Sequence, residues 1–188
     1  DWTRLKAQRQ HAVNSRRFAH PVRAWRAAIE RMDGPTCLVF SRQNLAHQDR
    51  DDEQLRGIAR GGYVLKDSAG APELILIATG SEVELALQAR TQLADDGIAA
   101  RVVSMPCREW FDAQDAEYRE QVLPRGITAR VSVEAGLAQS WHDLLGSRGR
   151  AVSLEHFGAS ADYQTLFREF GITADAVVEA ARESLAAR

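Results

Sequence analysis

The chain has 188 residues, of which 45% are apolar and 27% charged, values typical of a soluble globular protein. This length fits one complete domain plus part of another. Its 24 basic and 26 acidic residues leave a formal net charge of −2, so the chain as a whole has no cationic field that would attract nucleic acid. The longest apolar run, Leu74–Ala78, is far too short to span a bilayer, and no signal peptide is evident. We therefore expect a cytoplasmic protein with neither nucleic-acid nor membrane partners.

Basic residues are concentrated at the front of the chain, where only Asp1 and Glu30 oppose them. Residues 1–21 show no sustained helical or strand period, which predicts a poorly ordered basic leader. A basic arm for RNA or lipid is the alternative, although no aromatic interleaving supports it. The two cysteines, Cys37 and Cys107, have no partners at disulfide or zinc spacing, and we expect both to be buried.

The next stretch, residues 22–45, predicts one helix and one strand. Apolar residues recur at helical spacing from Val22 to Met32, and Gly34-Pro35 ends the helix. The run Thr36–Phe40 predicts a strand that carries Ser41–Leu45 at its carboxyl end. Residues 46–60 are strongly polar and are interpreted as an interdomain linker.

Residues 61–188 show strands alternating with helices. Predicted strands are Tyr63–Lys66, Leu74–Ala78, Ala100–Ser104, Ala129–Val133 and Ala151–Leu154. Predicted helices are Ser81–Asp95, Ala116–Val122, Gln139–Leu145, Tyr163–Phe170 and Ala174–Leu185, with an irregular piece after Pro106. This alternation predicts an α/β fold with a mainly parallel sheet covered on both faces, whose first strand could be an antiparallel edge.

Few residues suggest chemistry. Thr79–Glu82 forms a strand-turn-helix junction with Ser81 as the predicted N-cap; it is either a capped helix or, less favoured, an anion site. Glu134, after a strand, is expected to order a loop rather than to catalyse. No nucleophile-base pair or metal-ligand spacing is present, so no catalytic, cofactor-binding or metal-binding residue is assigned. The arginines Arg119, Arg125 and Arg130 are interpreted as solvated or paired surface residues.

Arg42 has a more suggestive setting. It follows a predicted parallel strand, where α/β folds place their ligands, and its planar guanidinium suits phosphate or carboxylate. A surface salt bridge is the alternative.

Several sequence blocks together resemble the transketolase family. They occur in the family's order and spacing and cover the chain from about Trp25 onward: Asp33–Thr36, Ser41–Leu45, Gly61–Leu65, Ile77–Val83, Arg101–Pro106, Val133–Gly136 and Phe157–Ser160. On this resemblance, residues 22–45 end the family's middle, pyrimidine-binding domain and residues 61–188 form its C-terminal domain.

The resemblance implies a homodimeric enzyme that transfers a two-carbon ketol unit between sugar phosphates, using thiamine diphosphate and Mg²⁺ or Ca²⁺. It also implies that Arg42 binds the substrate phosphate. The family's metal motif, activating glutamate and substrate-contacting histidines have no counterpart here, so this segment alone is expected to be inactive and to bind no cofactor. Its C-terminal domain is expected to serve architecture and dimer contacts.

The resemblance does not extend to the first residues of the chain, where Arg17–Val22 stands in place of the family's Arg-Pro-x-Asp segment. An artefact, an upstream reading-frame error and a truncated gene are alternative origins of residues 1–21. Two other functions stay open: a stand-alone, non-catalytic α/β binding module, and a subunit of a split thiamine-dependent enzyme. The Ser-Arg-Gln-Asn-Leu block argues against a related 2-oxoacid dehydrogenase or deoxyxylulose-phosphate synthase.

Overall fold

Two sheets organise the chain in the computed structural model, which describes residues 3–7, 19–41 and 43–187. A two-stranded parallel sheet pairs β1 (Thr3–Ala7) with β2 (Thr36–Phe40). A five-stranded sheet has the order β3-β5-β4-β6-β7. Its strands are β3 (Tyr63–Lys66), β4 (Leu74–Ala78), β5 (Ala100–Ser104), β6 (Arg130–Val133) and β7 (Arg150–Val152).

The helices lie mostly between these strands. They are α1 (Ala19–Glu30), α2 (Asp52–Ala59), α3 (Val83–Asp95), α4 (Arg108–Asp112), α5 (Ala116–Val122), α6 (His142–Leu145), α7 (Tyr163–Glu169) and α8 (Ala174–Ala186). Short 3₁₀ turns at Gly80–Glu82 and Ala138–Trp141 precede α3 and α6.

The five-stranded sheet confirms the predicted α/β class. The strands β4, β5, β6 and β7 are parallel, while β3 pairs antiparallel with β5 at the edge. Every residue of β4 is fully buried because layers cover both faces. Leu74, Leu76 and Ala78 face the core beneath α3 and α8, and the alternate residues Ile75 and Ile77 face the core beneath α4 to α6. A continuous apolar run is the sequence pattern that such a central strand requires.

The sequence predicted no regular structure in the leader. This prediction is wrong for Thr3–Ala7, which forms β1. Its register with β2 runs from Thr3 opposite Thr36 to Ala7 opposite Phe40. The segment Thr-Arg-Leu-Lys-Ala contains one large apolar residue and therefore carries no clear period. Because the backbone hydrogen bonds to β2 come from a distant part of the sequence, only tertiary structure could reveal this strand.

Half of the predicted linker, residues 46–60, is the helix α2. Asp51 and Gln54 form a capping box: Gln54 N donates to Asp51 Oδ1 at 2.8 Å, and Asp51 N donates to Gln54 Oε1 at 3.1 Å. Ile58 is buried in the core beside β3. The dense charge of residues 49–53 suggested solvated chain, but in the structure it forms the start and the exposed side of this helix.

Smaller differences concern Pro106 and Cys37. The irregular piece after Pro106 contains the short helix α4. Cys107 is buried as predicted, but Cys37 is exposed, so the prediction for Cys37 is wrong. None of the helices in the described ranges is both long and apolar enough to cross a bilayer.

Candidate functional site

Arg42, the predicted substrate-binding residue, lies outside the described residues. The strand β2 ends at Phe40, two residues before Arg42. The strand that the sequence predicts before Arg42 is present and belongs to a parallel sheet. The chemical role of Arg42 stays a prediction.

A second candidate location is the carboxyl edge of the five-stranded sheet between β4 and β6. From β4 the chain crosses through α3 to β5 on one side, and from β6 it continues to β7 on the other side. Ligands in open α/β sheets bind in the crevice at such a reversal of strand order. The residues that follow these two strands therefore decide what this edge can hold.

Glu82 occupies this crevice. Its side chain is buried, with Oε1 accepting from Ala135 N at 3.1 Å and Oε2 accepting from Ser81 Oγ at 3.0 Å. The carboxylate thus ties the loop after β4 to the loop after β6. The prediction that Ser81 caps the helix is wrong, because a 3₁₀ turn at Gly80–Glu82 precedes α3 and moves the N-cap to Glu82, whose side chain makes no capping bond.

Glu134 is a second buried carboxylate at this edge. Trp141 Nε1 donates to Glu134 Oε2 at 2.7 Å, which anchors the 3₁₀ turn Ala138–Trp141 to the end of β6. This contact fits the interpretation that Glu134 orders a loop. Both carboxylates are used within the fold, so they close the crevice instead of facing a ligand.

The space that remains beside Trp141 is a cavity of about 150 Å³ between Met105, Pro106 and Arg108. This volume is below the range of about 300–1,000 Å³ usual for small-molecule sites. Arg108 is already engaged, since its guanidinium donates to Asp112 Oδ1 at 2.9 Å, to Ser140 O at 2.7 Å and to Asp143. The cavity therefore offers little room and no unpaired cation.

Cys107 lies next to this cavity but is not a suitable nucleophile. Burial raises the pKa of its thiol to about 12, and the nearby Glu109 carboxylate also disfavours the thiolate. Its Sγ lies 3.5 Å from Glu109 Oε2. At neutral pH the group is an inert thiol, so the carboxyl edge has no activated nucleophile at this position.

Across residues 3–7, 19–41 and 43–187, no group of three or more His, Cys, Asp or Glu side chains could hold a metal ion. We assign no step of cofactor chemistry to this part of the chain.

The contact between Trp141 and Glu134 gives a stability prediction. Trp141→Phe keeps most of the buried ring but leaves Glu134 without its indole donor, so the free energy of unfolding should fall by about 1–3 kcal/mol. Urea denaturation followed by circular dichroism measures this loss. The matched control is Trp110→Phe, because the structure gives the Trp110 indole nitrogen no hydrogen bond to a described residue. Equal losses in the two variants would show that the contact contributes nothing beyond ring burial.

Arg130 corrects one sequence interpretation. It is not a solvated or paired surface residue, since its half-buried guanidinium donates to four backbone carbonyl oxygens: Ile127 at 2.9 Å, Leu144 at 2.6 Å, Pro124 at 2.7 Å and Leu123 at 3.2 Å. Burial lowers the pKa of Arg130, and the charge of Glu120 partly opposes this shift. The residue joins the loop before β6 to the end of α6. Its place as the first residue of a buried strand is the only signal of this role in the sequence.

Comparison with known proteins agrees with the sequence blocks. Residues 61–173 match the family model described as the transketolase-like TK C-terminal domain. Transketolase 1 of Escherichia coli K12 is 59% identical over 162 residues, which cover 86% of this chain and 24% of that protein. This chain thus spans about a quarter of the length of that relative.

Solved transketolase structures share the fold over almost the whole chain. The transketolase from Leishmania mexicana aligns with a TM-score of 0.84 and 33% identity, covering 98% of this chain and 25% of that one. A Pichia stipitis transketolase in complex with sedoheptulose 7-phosphate aligns with a TM-score of 0.81 and 31% identity, again covering 98% of this chain and 25% of that one. Since the family model matches more than half of the residues, the chain belongs to the transketolase family.

Proposed function

We propose that this chain is the C-terminal segment of a transketolase, an enzyme that transfers a two-carbon ketol unit between sugar phosphates with thiamine diphosphate and a divalent cation. The observation that carries the proposal is the alignment of 98% of this chain, at 33% identity, with one quarter of the Leishmania mexicana enzyme. A separate binding module with only the C-terminal fold would not need the β1-α1-β2 unit, which this alignment includes.

The β1-α1-β2 unit supports a role within a larger protein. Two parallel strands alone bury too little surface to be stable. Trp25 and Ile29 lie at helical spacing on α1 and Met32 follows just after its end, yet Trp25 is 55%, Ile29 72% and Met32 92% exposed. The opposite side of α1 places Ala24 beside Cys107. In the proposed enzyme, the exposed apolar side packs against the rest of the middle domain, to which residues 22–45 belong.

Arg42 supplies substrate binding in this proposal. Its guanidinium binds the sugar phosphate through paired, charge-assisted hydrogen bonds, which orient the reacting carbonyl. The Pichia stipitis structure, solved with a sugar phosphate, supports that substrate class for the family. In this proposal the cofactor and its cation are held by other parts of a homodimeric enzyme. Residues 61–188 then act as an architectural domain, and the segment alone is inactive.

A chimeric enzyme tests this function. Residues 22–188 replace the matching C-terminal quarter of Escherichia coli transketolase 1, with the unmodified enzyme as the control. We expect the chimera to transfer ketol units between sugar phosphates, dependent on thiamine diphosphate, and the 188-residue chain alone to show no transfer. A chimera that assembles and binds thiamine diphosphate but transfers nothing would contradict the proposal, as would transfer by the isolated chain.

A further inference from the structure

A cleft of about 290 Å³ lies between α5 and α6, on the face of the five-stranded sheet that α4 to α6 cover. Ala116, Arg119 and Glu120 line it from α5, and Leu123 lines it from the position just after that helix. The spacing of three and four residues from Ala116 places Arg119 and Glu120 on its side of the helix. Arg130 lines the cleft from the start of β6.

Charge is unevenly balanced along this cleft. At one end Arg108 is compensated twice, by Asp112 at 2.8 Å and by Asp143. Burial disfavours the Arg108 charge, but hydrogen bonds and charges from these two carboxylates outweigh that effect and raise its pKa. This end therefore needs no further anion.

The other end contains three arginines and one carboxylate. Glu120 Oε2 lies 3.7 Å from Arg125 Nε, and Glu120 Oε1 accepts from Arg125 N at 3.0 Å. Glu120 is also the carboxylate whose charge acts on Arg130. Arg130 otherwise contacts carbonyl oxygens, which have no net charge. Arg119 forms no side-chain hydrogen bond or ion pair with the described residues that line this cleft. The arginines at positions 119, 125 and 130 with Glu120 leave a net charge of +2, while the whole lining, with Arg108, Asp112 and Asp143, has a net charge of +1.

We propose that this end of the cleft, formed by Arg119, Arg125 and Arg130, binds a compact dianion of the phosphate class, either inorganic phosphate or the phosphate group of a small ester. A dianion balances the +2 charge of these three arginines with Glu120. Arg119 and Arg125 offer guanidinium N–H donors that match phosphate oxygens in geometry, whereas Arg130, which already donates to four carbonyl oxygens, contributes chiefly its charge. The cleft volume suits a phosphate group with a few attached atoms rather than a large cofactor. This inference rests on charge and space and does not depend on the proposed enzyme function.

Titration of the 188-residue chain with inorganic phosphate tests the site. Calorimetry at constant ionic strength, with chloride as the balancing anion, should show saturable binding at one site. Arg119→Gln and Arg125→Gln should each weaken binding by about tenfold, since each removes one charged partner of the anion. Both side chains are exposed, so the variants should keep the fold. The matched control is Arg168→Gln on α7, an exposed arginine paired with Glu169 and remote from the cleft lining.

Two further ligands distinguish the source of the anion. Tighter binding of glycerol 3-phosphate than of inorganic phosphate identifies an ester site, and the reverse order identifies a free-phosphate site. Equal or tighter binding of succinate would overturn the phosphate class. Binding that does not saturate, or that weakens equally in Arg168→Gln, would overturn the site itself. Amide chemical shifts of the unmodified chain provide a test without variants, because phosphate must perturb residues 116–125 and Arg130 more than the rest of the chain.

Discussion

Replacing Arg42 by alanine in the chimeric enzyme is expected to lower kcat/KM for phosphorylated acceptor sugars by about 30- to 150-fold. An arginine that binds a phosphate contributes charge-assisted hydrogen bonds worth roughly 2–3 kcal/mol, and their loss falls on the phosphorylated substrate alone. Unphosphorylated acceptors, which never make this contact, should react at nearly unchanged rates. Steady-state kinetics with an aldose phosphate and the corresponding free aldose measures the difference.

Arg42→Lys is the matched variant for this experiment. Lysine keeps the positive charge but lacks the planar pair of donors, so its kcat/KM should lie between those of the arginine and alanine enzymes. If Arg42→Ala lowers kcat/KM equally for phosphorylated and unphosphorylated acceptors, the arginine acts on structure or on the cofactor. The proposal that it binds the substrate phosphate is then wrong.

Gly61→Ala is expected to be the most destabilising single-methyl change at the junction of α2 and β3. Gly61 has a φ of +86°, a conformation that costs an L-residue about 1–2 kcal/mol. An added Cβ would also overlap the Cys107 carbonyl oxygen and lie 2.5 Å from Phe111 N. Both are backbone atoms, and the Cys107 N–H donates to Gly61 O at 3.0 Å, so the two segments cannot separate without losing this bond. We expect the free energy of unfolding to fall by about 2–5 kcal/mol in total.

The variant Gly97→Ala separates the cost of the positive φ from the cost of the close contact with backbone atoms. Gly97 has a similar φ of +79°, but an added Cβ there would meet no atom within 4 Å. The free energy of unfolding of Gly97→Ala should therefore fall only by the cost of the positive φ, about 1–2 kcal/mol. Urea denaturation of the two variants beside the unmodified chain measures both values. A Gly61→Ala variant no less stable than Gly97→Ala would mean that α4 moves away at little cost, and that the close approach does not stabilise the junction.

Regular elements with a strong local signal were predictable from the sequence. The run Leu74–Ala78 predicted a strand buried on both faces, and it forms the central strand of the sheet. The segment Ala116–Val122 predicted a helix, which the structure confirms as α5. The antiparallel edge strand Tyr63–Lys66 was foreseen as a possibility and is present.

Features that depend on a distant partner were missed or misinterpreted. β1 is a strand because of its pairing with β2, and α2 packs on a core that the linker interpretation did not include. Arg130 was interpreted as a surface residue because its four carbonyl partners, in the segment before β6 and in α6, are brought to it only by the fold. The hydrogen bond that Glu82 accepts from Ala135, 53 residues away, was likewise not predicted.

The sequence by itself determined the family, the α/β class and the position of Arg42 after a strand, because apolar periodicity and short motifs are local properties of the chain. Only the tertiary structure decided that the carboxyl edge of the sheet is closed by Glu82 and Glu134, and that three arginines and Glu120 line one cleft beside α5. Burial and charge balance arise from residues far apart in sequence, so no local pattern could reveal either one.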